Sequence, residues 1–173
     1  MKHSVHDLIA VQFSRSLLGL KGLLLKARAH AETRKFDENL FLQLRVAPDM
    51  FPFVKQIQIT TDGAKGAAAR LTGKTAPVFA DNETTLTQLI ERIERTVEFL
   101  QSTSEKDYEG YELRTVSFPW NPGKHLQGFD YLSSHAIPNF YFHMTTAYTL
   151  LRSSGVEVGK GDFLGEQNWI KEA

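Results

Sequence analysis

The chain of 173 residues contains no cysteine. That excludes disulfides, thiolate nucleophiles and thiolate metal centres together. It also suits a reducing compartment, so the cytoplasm is the expected location. Proline is scarce, with six residues, and tryptophan scarcer, with two. Neither sign of charge is in excess, since Lys plus Arg number 20 and Asp plus Glu number 20. A neutral chain lacks the summed positive field that nonspecific nucleic-acid binding needs, and the polybasic patch of a membrane-surface binder. Nucleic acid and membrane are therefore not expected partners. Residues 1–7 are polar and carry no apolar run like that of a signal peptide. No stretch is expected to reach the roughly 20 apolar residues of a membrane span.

What is present suits a packed core. Hydrophobic residues make up 42% of the chain and charged residues 23%, an ordinary globular balance. The length fits a single domain over residues 1–173. The hydrophobic period is helical for most of it. Ser4, with Asp7 three positions on, resembles a capping box, and Ile9, Phe13, Leu17, Leu20 and Leu24 then share one helical face. Gly19 and Gly22 inside that helix predict close approach of a neighbouring helix. Residues 30–36 read as a turn, and Asp37 as the cap of a short helix reaching about Gln43.

A second long helix is expected to start near Asp49, with a heptad seam at Met50, Val54, Ile57, Thr61, Ala64, Ala68 and Leu71, stopping at Gly73. A third is capped by Thr84 or Thr85, with its seam at Leu86, Leu89, Ile93, Val97 and Leu100. Its other face carries Glu91, Arg92, Glu94, Arg95 and Glu98, and Glu91 and Arg95 are spaced for an exposed ion pair. Between Glu112 and Gly128 the period changes to alternation around Asn121-Pro122-Gly123-Lys124, which predicts a small β-hairpin. The fourth helix runs from about Asp130 to Ser154, with an inward stripe of Leu132, Ala136, Phe140, His143, Ala147 and Leu150 and a kink or break at Pro138. Residues 155–173 read as an extended arm whose Trp169 and Ile170 pack locally or on a neighbouring subunit.

Phosphate-loop chemistry is not supported. Gly73-Lys74-Thr75 lacks the earlier glycine and follows a helix, and the glycines from 159 to 165 have no βαβ unit around them. Of the six histidines, His3 and His6 sit near a terminus, and His30 and His125 fall in expected turns. His135 lies near the start of the fourth helix, eight residues before His143. His143 lies on the buried stripe, with Asn139 one turn before it. A buried polar group must find a partner. His143 is therefore either a hydrogen-bonded core histidine or part of a metal or small-ligand site, with helix two, through Asp49 or Gln58, as the opposing element.

Ala47-Pro48-Asp49-Met50-Phe51-Pro52, Pro138-Asn139-Phe140-Tyr141-Phe142-His143 and Gly161-Asp162-Phe163-Leu164-Gly165 resemble the family of domains of unknown function numbered nineteen-ninety-three, over nearly the whole chain. That family is grouped with the bacterial DinB/YfiT-like helical bundles. The resemblance implies an all-α, up-down-down-up four-helix bundle, often a homodimer. It also implies a divalent metal, zinc or nickel, held by one His on helix two and two His four apart on helix four, and in some members hydrolase or thiol-transferase activity. His143 matches the second helix-four ligand, Asn139 stands where its partner histidine would be, and Asp49 is the candidate from helix two. The expected site is thus His143, Asn139 and Asp49, either as a degenerate pocket for a metal or small molecule or as the centre of a metal-dependent enzyme.

Overall fold

The computed structural model describes residues 4–167 and 169–170. Helix α1 (Gln12–Arg34) is entered through a π-helical turn, Asp7–Val11. The Ser4–Asp7 box forms, with the Asp7 carboxylate accepting the Ser4 N–H at 2.9 Å and the Ser4 hydroxyl accepting the Asp7 N–H at 3.3 Å. All five stripe residues from Ile9 to Leu24 are buried. The helix outlasts its expected end, because Ala27 and Ala31 continue the buried stripe and carry residues 30–34 in helical geometry. It closes at Lys35 in a left-handed conformation. His30 therefore sits on the helix, with its ring against Phe36 and Phe41, and not in a turn.

Helix α2 (Phe53–Thr72) starts four residues later than the spacing predicts. Pro52 is its N-cap residue, and a tight turn closed by Met50 N–H onto the Ala47 carbonyl at 3.0 Å leaves Asp49 outside the helix. Gly73, at φ 78°, ends it. Helix α3 (Leu86–Gln101) begins with a full capping box between Thr85 and Gln88, worth about 1 kcal/mol by the usual cost of losing such a cap. Arg92 is not on the exposed face, as expected, but only 2% exposed. The expected Glu91–Arg95 pair is absent among the described residues, and Arg95 lies over the Phe79 ring at 4.8 Å.

The fourth helix is composite. A short α4 (Gly128–Tyr131) runs through a π-helical turn (Leu132–Ala136) into α5 (Ile137–Ser153). Pro138 occupies the first turn of α5, where a missing N–H is tolerated, and the π-helical turn ahead of it takes up the expected distortion. The predicted hairpin is shorter than expected. β1 (Thr115–Ser117) pairs antiparallel with β2 (His125–Gln127), Val116 opposite Leu126, because Tyr111–Leu113 is a 3-10 turn. Gly128 is required here, since a Cβ would collide with the Tyr111 carbonyl.

Contacts along the helices set their directions. Lys55 near the start of α2 meets Asp81 just before α3, and Lys74 after the end of α2 meets Asp107 beyond α3, so α2 and α3 run parallel. His6 ahead of α1 reaches Thr103 beyond α3, and Arg28 late in α1 reaches Thr87 early in α3, so these two are antiparallel. Gln56 early in α2 meets His143 in α5, and Arg70 late in α2 meets Tyr131 in α4, which sets the fourth helix antiparallel to α2. The order is up, down, down, up, and residues 73–85 must travel the bundle's length to join two parallel helices.

The arm is not wholly extended. Val156 and Val158 are buried, and α6 (Lys160–Leu164) docks on α1. Gly19 permits this, because a Cβ there would lie 3.2 Å from the carbonyls of Asp162 and Phe163. The neighbour predicted at Gly19 is thus the arm rather than a bundle helix, and nothing lies within 4 Å of where a Gly22 Cβ would be. Trp169 and Ile170 are exposed and do not pack locally. Among the described residues one helix, Asp7–Arg34, is long and apolar enough to span a membrane by composition, contrary to the sequence expectation. One apolar stripe of it, from Ile9 through Leu24 to Ala31, is bundle core, while Leu8, Val11, Leu18 and Leu25 on its other side are exposed.

Candidate functional site

The uncharged run from Gln56 to Thr61 lies between Lys55 and Asp62 near the start of α2. Gln56, Ile57, Gln58, Thr60 and Thr61 are all buried, so α2 is enclosed nearly all round and faces α5 with polar side chains. On α5, His143 falls on the same stripe as Phe140 and Ala147 and is 8% exposed. Its Nδ1 lies 2.7 Å from Oε1 of Gln56.

The opposite atom of that amide settles the proton. Gln56 Nε2–H donates to the Phe51 carbonyl at 2.9 Å, which leaves Oε1 to face the ring as an acceptor. His143 must then donate from Nδ1, and in the neutral ring Nε2 keeps a lone pair. Burial holds the imidazole below its ordinary pKa, so the neutral form is favoured near pH 7. Among the described residues Nε2 makes no hydrogen bond, and the buried side-chain atoms without partners are Ser14 Oγ and Arg114 Nε. The lone pair at Nε2 therefore reaches solvent.

Asn139 lies one turn before His143 and is half-buried. Its Nδ2 faces α2 at Gly63, 3.6 Å from where a Cβ would stand. His143 and Asn139 thus share a face of α5 and both meet α2. Asp49 does not join them. It is exposed in the turn before α2 and makes no side-chain hydrogen bond or ion pair among the described residues. The side chain that helix two presents to His143 is Gln56, which the spacing argument passed over in favour of Asp49 and Gln58. Gln58 instead donates to Glu83 at 2.8 Å. The available signal was the absence of charge from position 56 to 61, which marks a helix without a solvent face.

The other histidines stand apart. His6 Nε2 lies 3.1 Å from the Thr103 carbonyl, His125 is exposed on β2, and His3 lies outside the described residues. His135 belongs to the π-helical turn and packs against Phe118 and Tyr131; burial, then the nearby Arg70 charge, lowers its pKa. No group of three His, Cys, Asp or Glu able to hold a metal occurs among the described residues. One imidazole and two neutral amides do not fit a zinc or nickel centre, which takes imidazole, thiolate or carboxylate donors.

A family model described as Domain of unknown function (DUF1993) matches residues 5–164. No curated protein matches the chain. Among solved structures, a DinB family member protein from Shewanella denitrificans aligns with a TM-score of 0.94 and 44% identity, covering 97% of this chain and 96% of that one.

Proposed function

The chain belongs to the family described as Domain of unknown function (DUF1993) and folds as a DinB-like bundle, and from that premise we propose that it is a small-ligand-binding bundle whose contact point is the His143 imidazole. The carrying observation is the pairing of Nδ1 with an anchored Gln56, which aims a neutral Nε2 lone pair outward. Such a nitrogen accepts a hydrogen bond from a hydroxyl or amide of a ligand. Asn139, one turn away, adds an amide that can donate or accept. The metal alternative, zinc or nickel on His143, Asn139 and Asp49 in a hydrolase or thiol transferase, is supported by the position of His143 alone. No catalytic step through a metal follows from these residues.

Tag-free protein titrated with zinc and with nickel separates the two readings. The expected result is no stoichiometric uptake that disappears in His143→Phe, together with nitrogen NMR of the imidazole showing Nδ1 protonated and Nε2 bare. A full equivalent of metal lost on that substitution would establish the metal centre instead. Polar fragments should shift the Nε2 resonance saturably, and a library that leaves it unmoved removes the binding role.

The expected homodimer has support in exposed apolar side chains: Leu8 in the π-helical turn, Leu25 on α1, and Trp169 and Ile170 on the arm. Sedimentation should show a dimer, and a monomer at high micromolar concentration removes that assembly. A chain without cysteine suits a reducing compartment, which supports the cytoplasm as the setting.

A further inference from the structure

Between the arm, α1 and the end of α3 lies a cleft of about 890 Å³. It lies within the several-hundred-Å³ range of small-molecule sites, roughly 300–1,000 Å³. Its walls come from His6 and the π-helical turn ahead of α1, from α1 itself, from the end of α3 at Gln101, and from the arm between Gly161 and Glu166. Ala10, Val11 and Leu18 make an apolar flank, and Gly22 leaves the floor open.

Two polar groups on this wall have no hydrogen-bond or ion-pair partner among the described residues. Ser14, 6% exposed, lines the cleft with a hydroxyl that is buried and without a hydrogen-bond partner. A buried hydroxyl in that state is costly, and a helical serine ordinarily turns back to the carbonyl four residues earlier. Arg15, half-buried in the same wall, has no ion-pair partner among the described residues. The neighbouring charges are otherwise engaged or peripheral. Lys26 is paired with Asp162 at 2.7 Å, whose other oxygen accepts the Gly159 N–H at 2.9 Å. Glu166 is exposed, where solvent screens its charge.

We propose that this cleft is a ligand site for a small apolar carboxylate, with Ser14 Oγ–H and the Arg15 guanidinium donating to the carboxylate and the hydrocarbon body lying along Val11 and Leu18. Both unused groups on the wall can donate, which selects an acceptor headgroup, and a guanidinium matches a carboxylate in charge and geometry. The site is independent of His143, which lies between α2 and α5.

Sodium decanoate, titrated below its micelle concentration and followed by calorimetry and by amide NMR, tests the assignment. One saturable site is expected, with shifts confined to the π-helical turn and α1, the arm from Gly161 to Glu166, and the end of α3. Arg15→Gln should weaken binding about tenfold, and decanol should bind at least tenfold more weakly than decanoate. Ser14→Ala should weaken decanoate while raising the melting temperature of the free protein, a combination that a purely structural serine does not give. Gly22→Leu places a side chain in open space on a helix and should abolish binding with the fold intact by circular dichroism. His143→Phe should leave decanoate binding unchanged. The site is overturned if decanoate shows no saturation, if decanol binds equally well, or if Gly22→Leu and Arg15→Gln bind as the parent does. It is equally overturned if Gly22→Leu abolishes a dimer in sedimentation and decanoate does not bind, since a second copy then fills the cleft.

Discussion

Arg92 and His143 are both polar side chains buried against α2, and they are finished very differently. Around Arg92 every direction is occupied. Nε–H donates to Thr61 at 2.7 Å, one terminal nitrogen meets Glu83 at 2.8 Å and Asp81 at 2.7 Å, and the other meets Asp62 at 2.6 Å. Phe79 lies 4.6 Å from the guanidinium carbon, covering its face. Burial alone would lower the Arg92 pKa, but the bond to Glu83 and the charges of Asp62 and Glu83 outweigh it and hold the pKa above its ordinary value. His143 has one partner, Gln56, and one open nitrogen. Closed networks of the first kind hold folds together, here by strapping residues 79–83 of the crossover to α2 and α3. A group satisfied on one side only is what a recognition site looks like before its ligand arrives.

The largest effect should come from opening the closed network. Arg92→Met removes the cation from three carboxylates and should cost about 3 kcal/mol, by analogy with broken buried ion pairs. For a chain of this size that is a fall of roughly 6–12 °C in melting temperature. Urea denaturation checks it, and a loss below about 1 kcal/mol would mean that Arg92 behaves as a surface residue. Next comes Gln56→Leu, which leaves the His143 Nδ1–H without an acceptor and should cost about 1–3 kcal/mol. Gln56→Leu combined with His143→Phe should recover most of that loss, because both polar partners are gone. A double variant no more stable than Gln56→Leu alone would show that Gln56 matters for packing and not for the proton.

The smallest effect is a change of slope with pH, and it separates the two regions by window. The folded-state pKa of His143 lies below its unfolded value of 6.5, so the unfolded chain binds more protons and stability declines as pH falls below about 6.5. His135 contributes in the same direction, so the comparison is with His143→Phe, whose decline there should be shallower but not flat. For Asp81 and Glu83, burial raises the pKa but hydrogen bonds, from Lys55 and Arg92 to the first and from Arg92 and Gln58 to the second, override it and lower both. Their contribution is present above their unfolded values of 3.8 and 4.5 and is lost as pH falls below them. Arg92→Met should make the decline in that lower window shallower, with Asp107 and Asp162 still contributing to it, and leave the upper one unchanged. Matching slopes for both variants in both windows would erase the distinction.

Periodicity exposed the bundle because a helix that buries one face must write that face at steps of three and four. The stripes of α1, α3 and α5 occupy the positions their spacing required, and Thr85, Asp37 and Ser4 cap where their side chains can reach. Periodicity also misplaced Arg92 and Asp49, for one reason. It scores residues by type along one helix, whereas burial depends on what another element lays over them. Residues 79–83 return over α3 and cover an arginine that belongs, by pattern, to the outside. The turn at Ala47–Met50 sets an aspartate outside the helix whose spacing predicts a start near it.

By itself, the amino-acid order determined four amphipathic helices, the caps at Ser4, Asp37 and Thr85, the hairpin and the placement of His143 on an inward stripe. Tertiary structure alone decided that Gln56 accepts the hydrogen bond from His143, that the arm closes over Gly19, and that Ser14 and Arg15 line an open cleft. Helical spacing is a local property, carried within one or two turns of chain. A hydrogen bond between residues 87 positions apart exists only once two helices have chosen their register.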